Sequence, residues 1–345
     1  MKKVLVEMSG GVDSSTTAAI LLEQGFDVRG VTFCTTPGTT GGKSARDAKL
    51  VADHLRVQHS VIDLSDLFNR AVIGNFISEY KSGRTPNPCA VCNRHIKFGP
   101  PLLDMADELG CDYIATGHYA VTAGGELRRG ADPQKDQSYF LYPILAAPIE
   151  RILFPLGAMT KAETRALARK LGLPTAEKGE SQDICFVPGT DYAKFLRSRG
   201  EDAVAAPGDI VNADGEIIGK HAGIHNYTVG QRKGLGALGK PMYVKQIVPS
   251  ENKVIAADDN QIASDESVIE DAVISKTRTL NIGDRFAAQI RYRSEPVPAK
   301  VAEIDNANGG LTIRIKFDAP VRAVSPGQAA VLYAGDAVAA GGVIK

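Results

Sequence analysis

The opening of the chain constrains its fold more than any other segment. Val4, Leu5 and Val6 lead into Ser9-Gly10-Gly11-Val12-Asp13-Ser14-Ser15, and the run from Thr16 to Gln24 reads as a helix. The order is strand, tight glycine turn, helix. Adjacent glycines let the backbone approach an anion, Ser14 and Ser15 add hydroxyl donors, and the unpaired amides of a new helix N-terminus favour negative charge. A phosphate is expected at this turn. The run lacks the lysine of GxxxxGK[ST] and the spacing of GxGxxG, which sets aside a Walker NTPase and a dinucleotide site. A plain Gly-Ser turn is disfavoured by position, because an open α/β sheet presents its ligand loop at this point.

The next segments continue the same scheme. Asp27 to Phe33 reads as a second strand, Ser44 to Leu55 as a helix, Val57 to Leu64 as a third strand and Asp112 to Val121 as a fourth. A short apolar strand from Phe154 precedes Thr160-Lys161-Ala162-Glu163, a capping box opening a helix that closes before Pro174. Alternating β and α elements predict a doubly wound parallel sheet over 1–200. Beyond Gly200, glycine- and proline-punctuated runs replace amphipathic helices: Asp209 to Val211, Glu216 to Gly219, Met242 to Val248, Val254 to Ala256, Phe286 to Tyr292, Lys300 to Ile304, Leu311 to Phe317 and Ala329 to Tyr333. These are mostly antiparallel β signals. They predict a small, mostly β central domain over 201–262 and a C-terminal antiparallel β-barrel over 263–345, joined near Asn260 to Ala263. At 345 residues, two or three domains are expected.

No apolar run reaches membrane-spanning length, and Met1-Lys2-Lys3 enters a strand directly rather than a signal region, so a soluble, cytoplasmic protein is expected. The formal net charge is +0, so any nucleic-acid site must be a local patch. One such patch is visible. Ile217 to Ser250 holds no Asp or Glu, while Lys220, Arg232, Lys233, Lys240 and Lys245 are interleaved with glycines. A solvated loop with chance charge bias is the competing reading. Arg291-Tyr292-Arg293, on a predicted strand, offers guanidiniums and an aromatic plane suited to an unpaired base.

Five cysteines in such a chain are expected to be buried, catalytic or metal-bound rather than disulfide-paired. Cys89 and Cys92 form a CxxC after Arg84-Thr85-Pro86-Asn87-Pro88, a loop stiffened by two prolines. Arg94, His95 and Lys97 should favour thiolate over thiol. A tetrahedral zinc site needs four ligands, and no second pair follows. Cys185, after the polar run Ser181-Gln182-Asp183, is a third reactive candidate. Cys34 and Cys111 read as packing residues.

Together these motifs resemble the tRNA-specific 2-thiouridylases, a family with an N-type PP-loop that cleaves ATP to AMP and pyrophosphate. The match rests on SGGVDSS, Gly83 to Pro88, Cys92-Asn93 with Ile96-Lys97-Phe98, Ala115-Thr116-Gly117-His118-Tyr119, Lys135-Asp136-Gln137-Ser138-Tyr139-Phe140-Leu141, Ile184-Cys185-Phe186, Gly230 to Gly236 and Arg291-Tyr292. The resemblance implies an α/β ATP pyrophosphatase domain. In it Glu7, Met8, Ser9, Gly10, Gly11, Val12, Asp13 and Ser14 hold ATP, Phe33 and Gly117 lie near the nucleoside, and Asp13 contacts magnesium. It implies that Asn87, Pro88 and Cys89 line the target base, Cys92 is the nucleophile, and Cys185 carries a persulfide. It puts His118, Lys135, Asp136, Gln137, Arg291, Tyr292 and Gln328 at tRNA contacts. The implied partners are tRNA and a sulfur donor, either a protein or sulfide.

Two departures stand out. Family members commonly carry Asp where this chain has Cys89, and a small residue where it has Glu7, whose side chain is expected to turn away from ATP. Two mechanisms follow. A Cys185 persulfide can pass sulfur with the help of Cys92, or Cys89, Cys92 and Cys185 can ligate three irons of a 4Fe-4S cluster. A thiol in place of a carboxylate gains little acid-base function at neutral pH but completes a three-sulfur set, which tips the expectation to the cluster. Other PP-loop enzymes (lysidine synthase-like or amidotransferase-like) share the first motif but do not need the three cysteines. A non-catalytic, nucleotide-sensing RNA-binding module is the alternative from a different class.

Overall fold

A computed structural model describes the chain except residues 37, 39, 41, 180–183, 188, 190, 237–239, 307 and 308 and the side chain of Ala203. The Ser181-Gln182-Asp183 run therefore lies outside the described residues.

The first sheet is built from β1 (Lys3–Glu7), β2 (Asp27–Cys34), β3 (Gln58–Asp63), β4 (Tyr113–Ala115) and β7 (Ile152–Leu153), all parallel, in the order β3-β2-β1-β4-β7. Val4, Leu5 and Val6 are fully buried because helices cover both faces of this central strand, which is why β1 reads as an unbroken apolar run. Helix α1 (Val12–Glu23) leaves the carboxyl end of β1, and α2 (Lys43–Leu55) buries Ala45, Ala48, Val51 and Ala52 at helical spacing. The strand order reverses at β1, so the loop Met8–Gly11 opens at the switch point where such sheets bind ligands.

The strand expected over 112–121 is two strands in different sheets. β4 stops at Ala115, Thr116–Tyr119 crosses over, and β5 (Ala120–Ala123) pairs with β6 (Glu126–Arg129) as a hairpin. The break has a steric cause at Gly117. A Cβ there would lie 2.6 Å from the Ser14 backbone nitrogen, so the crossover runs flat against the phosphate loop.

Past residue 200 the chain is mostly β. β8 (Gly208–Val211), β9 (Ile217–His221), β10 (Tyr243–Val248) and β11 (Lys253–Ala257) form a sheet in the order β10-β11-β8-β9. The last domain is a closed six-strand barrel of β12 (Ala263–Ile274), β13 (Arg285–Gln289), β14 (Val297–Asp305), β15 (Thr312–Arg322), β16 (Ala329–Ala334) and β17 (Ala337–Ile344), sealed by β12 against β17. β12 and β17 were absent from the sequence reading. The strand expected to reach Tyr292 ends at Gln289, leaving Arg291 in a bend and Tyr292 in a turn.

The domains share cores. Leu5, Leu102, Tyr139 and Ile144 of the parallel-sheet domain pack with Ala329, Val331 and Tyr333 of the barrel, and β6 pairs with β17 at Arg128 and Ala337. Phe68, Phe76 and Ile96 pack with Val244, Ile247 and Val254 of the central domain. Among the described residues no helix is long and apolar enough to cross a membrane.

Candidate active site

Gly10 has φ +71°, and a Cβ there would lie 2.3 Å from the Ser44 carbonyl oxygen, so only glycine makes this turn. Gly11 is the N-cap of α1 and supplies no side-chain cap, which leaves the first amides of α1 to an anion. The serine hydroxyls behave differently from expectation. Ser14 Oγ accepts from the Ser9 amide at 3.1 Å, and Ser15 Oγ donates to the Gly11 carbonyl at 2.8 Å while accepting from Thr175 at 2.9 Å. Both side chains are buried and engaged within the turn, so the hydroxyl donors expected for an anion are taken by the protein itself.

Two lysines outside the motif complete this end. Lys161 Nζ donates to both carboxylate oxygens of Asp13, one of which also accepts from the Tyr119 hydroxyl at 2.8 Å. Lys178 Nζ donates to the Gly10 carbonyl at 2.7 Å and to Asp47 at 2.6 Å. Asp13, expected as a magnesium contact, is thus paired with an ammonium and does not fit a metal ion as it stands. Phe33, at the end of β2, is half-buried between the catalytic core and the core shared with the central domain.

The sulfur site is built by the stiff loop. Pro88 occupies the first turn of the helix Pro88–Cys92, and Asn87 caps it by accepting from the Ala90 amide at 3.3 Å. The side-chain amide nitrogen of Asn87 is buried and has no partner among the described residues. The helix continues into a π-helical turn, Asn93–Lys97, which carries Lys97. Cys89 and Cys185 are exposed and Cys92 is half-buried. Burial pushes every one of these thiols up, Cys92 to about 12, and Lys97 opposes the shift in each. This corrects the expectation of low-pKa thiols: loss of water around them outweighs the nearby Lys97.

Lys97 is the hub of the site. Burial disfavours its ammonium, but Glu7 and then the sulfurs of Cys92, Cys185 and Cys89 outweigh that and raise its pKa. The buried Glu7 carboxylate lies 3.9 Å from Lys97 Nζ, so the side chain that opens the phosphate loop faces the cation that serves the cysteines. Among the described residues, no group of three or more His, Cys, Asp or Glu side chains is arranged to hold a metal ion. The three thiols share one neighbouring cation, Lys97. Cys34 and Cys111 are buried in the core, as expected.

The residues at tRNA-contact positions divide sharply. Arg232 and Lys233 are exposed. Within the same acid-free segment, Lys220 pairs with Asp209 and Lys240 with Asp258 at 2.8 Å, so carboxylates from outside it reduce the cationic face. His118 is buried, its ring 5.6 Å from Phe98 and 6.0 Å from Phe154, with Nδ1 2.7 Å from the Thr116 hydroxyl. Burial, then Lys97, holds it well below its ordinary pKa, so it is neutral at pH 7 and not a surface contact. Asp136 is buried, accepting from Arg129, the Gly130 and Ser138 amides and the Ser138 hydroxyl; it too is structural. Gln137 accepts from the Tyr119 amide at 2.9 Å. Lys135 is half-buried. Arg291 Nη2 donates to the Val229 and Ala323 carbonyls, tying the central domain to the barrel. Tyr292 packs its ring 4.3 Å from Phe140. Gln328 donates to the Thr85 and Pro86 carbonyls. Lys161 and Lys178 were missed as site residues because nothing local distinguishes them from surface lysines.

Family models match along most of the chain: a tRNA methyl transferase HUP domain over 2–189, a tRNA methyl transferase PRC-barrel domain over 193–258 and an aminomethyltransferase beta-barrel domain over 273–344. Among similar proteins are the tRNA-specific 2-thiouridylase MnmA of Carboxydothermus hydrogenoformans, 46% identical over 100% of this chain and 98% of the relative, and that of Acetivibrio thermocellus, 43% identical over 100% and 99%. The protein of the same name from Herpetosiphon aurantiacus is 43% identical over 100% and 99%. With identity at this level along the entire chain, this protein belongs to the tRNA-specific 2-thiouridylase family.

Proposed function

We propose that this protein uses ATP to replace the oxygen on carbon 2 of a wobble uridine in tRNA with sulfur. The observation that carries this reading is the meeting of Glu7, at the entrance to the phosphate loop, with Lys97, the cation shared by Cys89, Cys92 and Cys185. The Glu7–Lys97 pair joins the glycine loop to the cysteines. The α1 amides, with Lys161 and Lys178 beside them, stabilise charge developing on pyrophosphate as the uridine oxygen attacks the α-phosphorus. The unpartnered Asn87 amide is a buried donor that a uracil carbonyl would satisfy, and leaving such a donor unmet costs about 1–3 kcal/mol.

The adenylylated oxygen leaves as AMP when the outer sulfur of a Cys185 persulfide attacks carbon 2. Cys92 then attacks Cys185 Sγ, forming a Cys92–Cys185 disulfide and leaving the sulfur on the base; an external thiol reduces the disulfide. Lys97 stabilises the Cys92 thiolate that this step needs. Lys97 beside all three cysteines suits the thiolate chemistry of the persulfide route, and the cluster on the same cysteines is the alternative that an iron-free assay separates from it. Sulfur reaches Cys185 when its thiolate attacks the outer sulfur of a persulfide-bearing donor protein, whose own thiolate leaves.

The test supplies unmodified tRNA, ATP and a persulfide donor to iron-free protein, then measures 2-thiouridine, AMP and pyrophosphate. Equal yields of the three support the reading. ADP and phosphate as products would overturn it, and activity that requires iron would return the mechanism to the cluster.

A further inference from the structure

The loop that presents Asn87, Pro88 and Cys89 is not held by the catalytic domain alone. The Thr85 amide donates to the Pro326 carbonyl of the barrel at 2.8 Å, and Gln328 Nε2 donates back to the Thr85 and Pro86 carbonyls at 3.0 and 3.3 Å. Gly327, between them, has φ +86°, and a Cβ there would lie 2.8 Å from the Thr85 oxygen and 2.9 Å from its nitrogen. The barrel backbone and the loop are in direct contact at this point. Arg84 Nη2 donates to the Ile344 carbonyl at 3.0 Å, and its guanidinium pairs with Glu79 at 2.8 Å and Glu270 at 3.5 Å. The central domain adds a hydroxyl pair, Thr85 to Thr228 at 3.1 Å, and Pro249 closes over Gly83.

We infer that Gln328 is a positioning residue for the thiolation site: its amide, with the Gly327 backbone, fixes the Thr85–Pro86 peptides and so aims Asn87, Cys89 and Cys92 at the base. The inference rests on the thiolation reading above. The chemistry suits the task, because two carbonyls gripped by one amide nitrogen define both the position and the tilt of the peptide just before a proline-stiffened helix start. The resemblance assigns Gln328 to tRNA instead, but the amide is already engaged by the loop. Displacing reacting groups by an ångström or so costs up to about a hundredfold in rate while leaving distant substrate contacts intact. A clamp of this kind therefore acts on the chemical step, whereas a direct tRNA contact acts on affinity.

The full-length Gln328→Met variant, which keeps the side-chain length and loses the donor, separates the two roles. The measurements are the single-turnover rate of 2-thiouridine formation at saturating tRNA, the tRNA dissociation constant, and amide hydrogen exchange over residues 84–92. The clamp predicts a rate lower by about tenfold or more, an unchanged dissociation constant, and faster exchange in the loop. Gly327→Ala, which pushes the same peptide with a Cβ, should reproduce the rate loss by an independent route. A weakened tRNA affinity with the saturated rate and loop exchange preserved would overturn the inference and return Gln328 to the RNA. If the unaltered protein makes no 2-thiouridine, the thiolation reading fails on its own; faster loop exchange in the variants would still uphold the clamp, and unchanged exchange would refute it.

Discussion

Lys161 Nζ lies 2.7 and 2.8 Å from the two carboxylate oxygens of Asp13, joining the start of the helix Lys161–Lys170 to the phosphate loop across 148 residues of sequence. The pair keeps a cation beside the α1 amides while the aspartate holds it in place. Replacing Lys161 by Met removes a charge-assisted contact worth roughly 1.5–3 kcal/mol. Pyrophosphate release in the presence of tRNA should fall about 10- to 100-fold, with the tRNA dissociation constant unchanged. An undiminished release rate would remove Lys161 from the phosphate chemistry.

Lys97 sets the reactivity of the cysteines. Burial raises the Cys92 pKa to about 12 and Lys97 opposes it, so Lys97→Met should raise it further and shrink the thiolate fraction at any given pH. The alkylation rate of Cys92 by iodoacetamide should fall, and its pH profile should move to higher pH; Lys97→Arg, which keeps the charge, should recover most of the rate. Identical profiles for the Met variant and the unaltered protein would count against this role.

The three cysteines divide the two sulfur mechanisms. In the relay, Cys92→Ala and Cys185→Ala abolish turnover, while Cys89→Ala lowers it by less than about tenfold, since Cys89 neither carries nor releases sulfur. Thiolation yield and iron content of each variant are the readouts. Equal loss at all three positions, accompanied by loss of bound iron, would favour the cluster.

Arg232 and Lys233 are exposed residues of the basic segment. Changing both to Glu should weaken tRNA binding and lower the slope of log affinity against log salt by about 1.5–2 if both meet phosphates. ATP binding should be unaffected. A salt titration that superimposes on that of the unaltered protein would exclude this segment from the interface.

Contiguous signals in the sequence translated well into structure. The apolar run Val4-Leu5-Val6 is a central parallel strand, and Thr160 and Glu163 form both bonds of the anticipated capping box. What the sequence hid has identifiable causes. β12 carries Asp265, Glu266, Glu270 and Asp271, and so acidic a run reads as a loop until Arg314 of the neighbouring strand β15 pairs with Glu266. β17 is rich in Gly and Ala, which have low strand propensity. The glycine is needed because a Cβ on Gly341 would lie 2.7 Å from the Tyr142 ring, so tertiary contact overrides the local preference. In the site, the motifs named the loop and the cysteines. They could not reveal that Lys161 reaches Asp13, that His118 and Asp136 face inward, or that Gln328 grips a loop 243 residues away. Those facts are made by chain crossings, which no local pattern encodes.

The pairing of β6 with β17 makes the barrel an extension of a hairpin that belongs to the catalytic domain. Recombination or protein engineering that treats the barrel as an exchangeable module would sever a ladder and strip Val331 and Tyr333 from a shared core. The freed hairpin would then display a raw sheet edge, and both fragments newly wetted apolar surface, the combination that drives strand-to-strand aggregation. Inheritance of the barrel is thus tied to inheritance of the hairpin: a chimera that keeps this seam must draw Ala120–Arg129 and Ala329–Ile344 from the same parent.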